Sequence, residues 1–190
     1  MTESFGSCEA ASSAEAIAIA SLAAQAAAQG ITYLVSAGDA GAEGCDDFNT
    51  ETAATGPLSV NVLASTPFSV AVGGTMFNEG GQDSTYWRSA SPLTETALSY
   101  IPENVWNQSC LASQCGQTAN ILAGGGGVSA MFAKPPWQSP ALWPSLHIPN
   151  DHARDVPDVS LTAAGHDPYL LCIQASCEQN FIYFVFGTSA

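Results

Sequence analysis

Cations are what this sequence has least of. Its 190 residues include 3 Lys or Arg against 17 Asp or Glu, a formal charge of −14. The three cations, Arg88, Lys134 and Arg154, are dispersed. No basic cluster is left to neutralise phosphates, which excludes a nucleic-acid partner, and an anionic membrane surface is excluded on the same ground. Also missing is a run of about 18 uninterrupted apolar residues, the length a membrane-spanning helix needs. Met1 is followed by Thr2, Glu3 and Ser4 rather than by a basic segment and an apolar run, so neither a transmembrane helix nor a signal peptide is expected in these residues. Charged residues of both signs make up only 11%, against 46% hydrophobic, which excludes disorder in spite of the lopsided balance. The chain is expected to fold, and its length suits one domain or a large part of one, with a sizeable core.

What is present begins with carboxylates. With a sequence pI of about 4.1, the chain sheds most of its charge as carboxylates titrate near pH ~4. Self-repulsion is then smallest in acid, which fits a protein that works there and equally serves solubility alone. The six cysteines say more. Cys110 and Cys115, and Cys172 and Cys177, have four residues between partners, with small polar residues suited to short loops. Fifteen full pairings are possible, but local closure favours these two pairs and leaves Cys8 with Cys45. If they pair, the destination is oxidising and extracytoplasmic. C-x4-C can also hold zinc, but no His lies near either pair and there is no C-x2-C knuckle.

Residues 12–29 read as a helix: Ser12 with Glu15 makes a capping box, the interior is Ala, Ile, Leu and Gln, and Gly30 ends the run. Its nearly all-apolar surface predicts tight packing. A short β-branched and aromatic run, residues 31–36, follows and ends in Ala37-Gly38-Asp39-Ala40-Gly41. Helix, buried strand and Gly-rich turn are the grammar of a parallel α/β sheet. Further strands are expected near residues 69–72, halted by Gly73-Gly74, and near 158–161 and 182–185. Residues 78–123 shift to Ser, Thr, Asn, Gln and Gly and read as a long loop-rich insertion. No repeat or linker marks a second domain. In open parallel sheets functional groups gather beyond the carboxyl ends of the strands. Asp39 and Ser189 both follow predicted strands.

Gly187-Thr188-Ser189-Ala190 alone is a weak pattern. It becomes specific with Ser36-Ala37-Gly38-Asp39-Ala40-Gly41, Gly124-Gly125-Gly126-Gly127-Val128-Ser129, Lys134-Pro135-Pro136-Trp137-Gln138 and Arg154-Asp155-Val156-Pro157-Asp158-Val159-Ser160, in that order. Over nearly its whole length, from Ser4-Phe5-Gly6-Ser7-Cys8-Glu9 onward, the chain resembles the sedolisin (serine-carboxyl) peptidases, acid-acting relatives of subtilisin. The resemblance implies an α/β fold, a subtilisin-like parallel sheet flanked by helices. It also implies that residues 1–190 are the central part of a sedolisin-type catalytic domain, truncated at both ends. Ser189 matches the nucleophile that forms an acyl-enzyme. Asp39 matches the oxyanion-hole aspartate, standing where subtilisins have an asparagine. A carboxyl group donates a hydrogen bond to an oxyanion only while protonated, which calls for acid, a raised pKa, or both.

The family's base is the Glu of a Glu-x-x-x-Asp pair upstream of the Ser4-Phe5-Gly6 segment, and its calcium loop lies downstream of the serine. Neither has a counterpart in these residues, so a calcium cofactor is implied for full-length members with no site within this chain. The stretch alone is not expected to hydrolyse peptides. Phe186 stands where the family usually has a small residue. The implied function is that of a secreted serine endopeptidase acting on peptide or protein substrates, made with a propeptide in full-length form. The alternative is a non-catalytic secreted peptide-binding module, or inactive remnant, of the same fold. Glu3, Glu9 and Glu15 match no catalytic position and read as solvated or capping acids. Gly124 to Gly127 either let the backbone approach a substrate peptide or make a tight turn. Trp137 reads as a packed aromatic, and Arg154 with Asp155 and Asp158 as a polar cluster that fixes a loop. His147, His152 and His166 are too scattered for a metal or a triad, and Asp46, Asp47 and Asp151 lack calcium-loop spacing.

Overall fold

The computed structural model describes residues 1–88, 96–110, 120–179 and 181–190. Eleven strands (β1–β11) and two α-helices (α1, α2) are described, but the main sheet is built around β3 (Val70–Phe77). Successive carbonyls of a strand point to opposite edges, and β3 uses both. On one edge it pairs in parallel with β2 (Leu34–Ser36), the Val72 carbonyl then accepting Ala37 N–H and the Gly74 carbonyl Trp106 N–H. Beyond β2 that edge is continued by antiparallel β6 (Glu103–Val105). On the other edge lies parallel β9 (Val159–Thr162), with Ala71 and Thr75 carbonyls accepting from Asp158 and Ala163. The short β1 (Thr2–Glu3) adds in parallel outside β2. This is the α/β parallel architecture the sequence points to.

Four of its details differ from expectation. First, β3 runs through Gly73-Gly74 instead of stopping there. A Cβ at Gly74 would lie 2.9 Å from both Ala163 Cβ and Trp106 Cε3, and one at Gly73 2.5 Å from Pro157 Cγ. The glycines are the space into which neighbours on both faces fit. Second, residues 78–123 are more than loop. They supply α2 (Asp83–Tyr86), the paired strands β4 (Trp87–Arg88) and β5 (Thr96–Ala97), β6 and the fully buried Trp106. Third, β11 (Tyr183–Val185) pairs antiparallel with β10 (Tyr169–Leu171) in a separate two-stranded sheet and is not a strand of the main one. Fourth, β7 (Gly127–Ala133) and β8 (Ala153–Val156), which no alternation announces, form another antiparallel pair.

Helix α1 spans Glu9–Ala28 and starts a turn earlier than predicted. Its N-terminus is held by the Cys8–Cys45 disulfide and by Glu9 N–H donating to the Val60 carbonyl at 2.9 Å. The Ser12–Glu15 capping box is therefore not used. Ser12 has φ −123°, a kink inside the helix, and its hydroxyl pairs with that of Ser7. The other end is as read: Gly30 at φ +76° donates to Ala27 O and Ile31 to Ala26 O, the two bonds of a Schellman motif. Tight packing all round does not hold. Ala16 and Ala23 are buried, whereas Ile17 and Leu22 are exposed, so a single alanine stripe meets the rest of the molecule.

One core joins that stripe to Tyr33, Val35, Ala37, Val60, Ala64, Ala71 and Val156; a second gathers Trp106, Ala163 and Ala164 with Met76 and Leu122. Between them Arg154 is fully buried. Its guanidinium makes a fork on Asp158, 2.7 Å to Oδ1 and 2.5 Å to Oδ2, and stacks 4.8 Å from the Trp137 ring. The polar-cluster reading of Arg154, Asp155 and Asp158 is borne out. Asp158 Oδ2 in turn accepts Ala71 N–H at 2.8 Å, tying β8–β9 to β3. Cys172–Cys177 pair as expected. The expected Cys110–Cys115 bond lies outside the described residues because Cys115 does.

Two predictions follow from this packing. Gly74→Val is expected to lower the unfolding free energy by about 1–3 kcal/mol through overpacking against Trp106 and Ala163, read as a lower urea midpoint. Arg154→Leu leaves the Asp158 carboxylate buried without its cation and is expected to cost about 3–5 kcal/mol, and the double change with Asp158→Asn to cost less than the single one by the same assay.

Candidate active site

The parallel strands β1 and β2 both end toward one cleft of about 290 Å³, lined among others by Ser4, Gly38, Asp39, Asp47, Asn61 and Ser189. Ser4 follows β1 and Asp39 follows β2, as the carboxyl-end rule requires. Ser189 arrives differently, since its preceding strand belongs to the hairpin. Gly187 N–H donates to the Ala163 carbonyl at 2.8 Å, so the segment hangs from the end of β9 and still reaches the same edge of the sheet. Gly187 has φ +101°, and a Cβ there would stand 2.6 Å from Asp39 Oδ2. Glycine is required on both counts. Phe186 beside it is half exposed, its ring against Gly165.

Asp39 and Ser189, 150 positions apart in sequence, thus meet at one cleft through Thr188. Asp39 Oδ1 accepts both the Thr188 N–H and the Thr188 hydroxyl, each at 2.8 Å. The Thr188 hydroxyl oxygen accepts Gly38 N–H at 3.0 Å. The Ser189 hydroxyl donates to the Ser4 carbonyl at 3.2 Å. Among the described residues no carboxylate or imidazole is hydrogen-bonded to Ser189.

Gly38, which lines the cleft, is backed by main chain. Gly125 N–H donates to the Gly38 carbonyl at 2.7 Å and Gly124 N–H to the Trp106 carbonyl at 3.0 Å. A Cβ on Gly125 would collide with the Ala37 carbonyl, and one on Gly126 would come within 2.8 Å of the Val156 carbonyl. These glycines make no tight turn, and what closes on Gly125 and Gly126 is main chain of this same protein. Asn61, which the sequence reading passed over, is buried, and its amide donates to the Ser36 carbonyl at 2.8 Å. Only tertiary contact distinguishes it from any other loop asparagine.

Glu9 is a correction. It is neither solvated nor a cap: only 2% exposed, it accepts the Ser129 hydroxyl at 2.5 Å and Ala130 N–H at 2.8 Å, locking α1 to β7. Its position directly after a disulfide cysteine was the one available hint. Its hydrogen bonds go to Ser129 and Ala130, that of Ser189 to Ser4.

The cleft is acidic. None of the three cations lines it: Lys134 pairs with Asp151 and Asp155, Arg154 with Asp158, and Arg88 lies on β4. Asp46 and Asp47 sit at its rim. Backbone N–H groups of Thr55 and Gly56 hold the Asp46 carboxyl below its ordinary pKa; Asn49, through its backbone and then its side-chain N–H, and the Thr50 hydroxyl do the same for Asp47. With their oxygens committed to these donors, neither fits a calcium cage, and no group of three His, Cys, Asp or Glu among the described residues is placed to hold a metal. Nor is any helix among them long and apolar enough to cross a membrane.

In sequence the chain is 33% identical to sedolisin of Pseudomonas sp. strain 101 over 163 residues, 85% of this chain and 23% of that protein. It is 30% identical to xanthomonalisin of Xanthomonas sp. strain T-22 over 171 residues, 82% of this chain and 18% of that protein. It therefore spans about a fifth of the length of the curated relatives it matches. No family model matches. In structure it is similar to Pseudomonas sedolisin, a serine-carboxyl proteinase solved with two molecules of pseudo-iodotyrostatin: TM-score 0.67, 29% identity, 99% of this chain and 43% of that one. The sheet and this likeness define a subtilisin-like α/β fold of the serine-carboxyl peptidase class. Within that class the chain belongs to the sedolisin family, of whose members it carries a part.

One prediction concerns acid stability. In the unfolded chain Asp46 returns to its ordinary pKa, so the unfolded state takes up the proton first as pH falls. Its contribution is full above pH ~4 and fades as pH drops toward and through the depressed folded value. Urea unfolding in steps from pH ~5 to pH ~2 is expected to show a shallower acid decline for Asp46→Asn than for the parent.

Proposed function

We propose that this chain supplies the serine and the oxyanion-binding acid of an acid-acting serine-carboxyl endopeptidase. A peptide substrate lies in the cleft, the Ser189 oxygen bonds to its scissile carbonyl carbon, and protonated Asp39 donates to the oxygen that gains the charge. When the tetrahedral species collapses, the C–N bond breaks, the amine leaves with a proton and the acyl-enzyme remains. The observation that carries this reading is the convergence of Ser189 and Asp39, joined through Thr188, on one cleft at the carboxyl ends of the strands.

The proton on the Ser189 hydroxyl needs a basic acceptor, and among the described residues its partner is the Ser4 carbonyl. The same resemblance assigns that role to a glutamate with an aspartate partner, and calcium to a loop, neither matched here. Secretion in an oxidising medium, with a propeptide, belongs to the same reading, and the two described disulfides suit it. A second reading, a peptide-binding module without turnover, is favoured by the Ser189 hydrogen bond to the Ser4 carbonyl in place of a base.

Pseudo-iodotyrostatin tests the cleft. By calorimetry at pH ~4 the chain is expected to bind it, and Ser189→Ala to bind at least about tenfold more weakly, the equivalent of one good hydrogen bond. Absent binding, or binding untouched by Ser189→Ala, overturns the assignment. Peptide hydrolysis at the same pH, with the Glu-x-x-x-Asp polypeptide supplied in trans, separates the two readings: turnover supports the peptidase, binding without turnover the module.

A further inference from the structure

We infer that Thr188 is a positioning residue that decides which oxygen of Asp39 carries the acid proton. The inference rests on the reading of Asp39 as oxyanion donor and deepens it. A backbone N–H can only donate, so the Gly38 N–H at 3.0 Å fixes the Thr188 oxygen as an acceptor on that side. The Thr188 hydroxyl hydrogen must then point elsewhere, and Asp39 Oδ1 lies 2.8 Å away. Thr188 N–H, also at 2.8 Å, aims at the same Oδ1. Two donors from one residue thus converge on one oxygen of the carboxyl. A proton placed on Oδ1 would face the Thr188 hydroxyl hydrogen and break that bond, whereas a proton on Oδ2 leaves both bonds intact. Neutral Asp39 therefore carries its proton on Oδ2, the oxygen for which side-chain-free Gly187 leaves room. The chain Gly38 N–H to Thr188 to Asp39 turns a symmetric carboxyl group into one with a dedicated acceptor oxygen and a dedicated donor oxygen.

An amide makes the test. In Asp39→Asn the carbonyl must take the Oδ1 place, because an NH₂ there would meet two donors, so the NH₂ falls at the Oδ2 place and donates at any pH. Pseudo-iodotyrostatin affinity in the parent is expected to fall about tenfold or more between pH ~4 and pH ~7, where an ordinary carboxyl is ionised. In Asp39→Asn it is expected to stay level across that range. Adding Thr188→Val takes away the hydroxyl donor, leaves the backbone N–H alone to hold the carbonyl so that the flipped amide becomes populated, and should remove about tenfold of the pH 7 affinity, one hydrogen bond's worth; adding Thr188→Ser instead should keep it within about threefold. An Asp39→Asn variant no better than the parent at pH 7, or one indifferent to Thr188→Val, overturns the inference.

If the parent does not bind at pH ~4, the cleft assignment fails and infrared spectroscopy decides the positioning separately. In the acid-form difference spectrum of parent minus Asp39→Asn, the carboxyl C=O stretch should move to higher frequency in Thr188→Val and return in Thr188→Ser. An unmoved band overturns the inference. Thr188→Ala replaces the valine variant if circular dichroism shows the latter unfolded.

Discussion

The constraint on which the rest of the molecule depends is that β3 has to pair on both edges while being crowded on both faces. Its even-numbered carbonyls hold β2 and the β6 segment, and its odd-numbered ones hold β9 with its flanking residues. The faces can approach only because Gly73 and Gly74 carry no side chain. From that arrangement the cleft follows. β2 delivers Asp39, β9 delivers the Ala163 carbonyl, and Ala163 holds Gly187, which in turn sets Thr188 against Asp39. A shift of β9 by one residue along β3 would move the serine segment with it. The separation of Ser189 from Asp39 is therefore set by strand register and not by the flexibility of the loop that bears the serine.

What could be read from the sequence was whatever is local. Gly30 ending α1 is a backbone requirement of one residue, and it was visible as such. The strand before Asp39 and the strand expected near residues 158–161 could be placed from composition, and both Asp39 and Ser189 stand in the motifs that carry the family resemblance. Long-range choices were hidden. The capping box of Ser12 and Glu15 was a sound local signal, overridden by the Cys8–Cys45 bond and by burial of Glu9 one turn earlier. Gly73-Gly74 reads locally as a stop, because the Trp106 and Ala163 that fill its space come from 32 residues or more downstream. β11 is β-branched and aromatic like a core strand, yet its partner is β10, and nothing in either run says so.

With only three cations, this fold cannot satisfy its carboxylates by ion pairing, and it uses backbone N–H groups instead. Asp158 accepts from Ala71, Asp167 from Phe77, Asp46 from Thr55, Asp47 from Asn49, Asp151 from Ala153 and Glu9 from Ala130. Each such bond replaces one that water would make and leaves no cation to desolvate. The acidic composition is thus partly structural: these side chains stitch loops to strands. Two of the three cations meet carboxylates, Arg154 beneath Trp137 on Asp158 and Lys134 between Asp151 and Asp155.

Set among these carboxylates, Asp39 joins one-sided donation, which it shares with Asp167, to a place at the cleft. Asp158 has donors on both oxygens, Arg154 and Gln138 at Oδ1 and Arg154 and Ala71 at Oδ2. Glu9 takes Ser129 on one and Ala130 on the other. In both, the donors are spread over the two oxygens. Asp39 instead has its donors gathered on Oδ1 and lies at a cleft that contains no cation. A proton can be added at Oδ2 without breaking any bond the fold depends on. On the proposed reading of Asp39 as oxyanion donor, asymmetric donation leaves one oxygen of the carboxyl open to carry the proton while the other goes on accepting from Thr188.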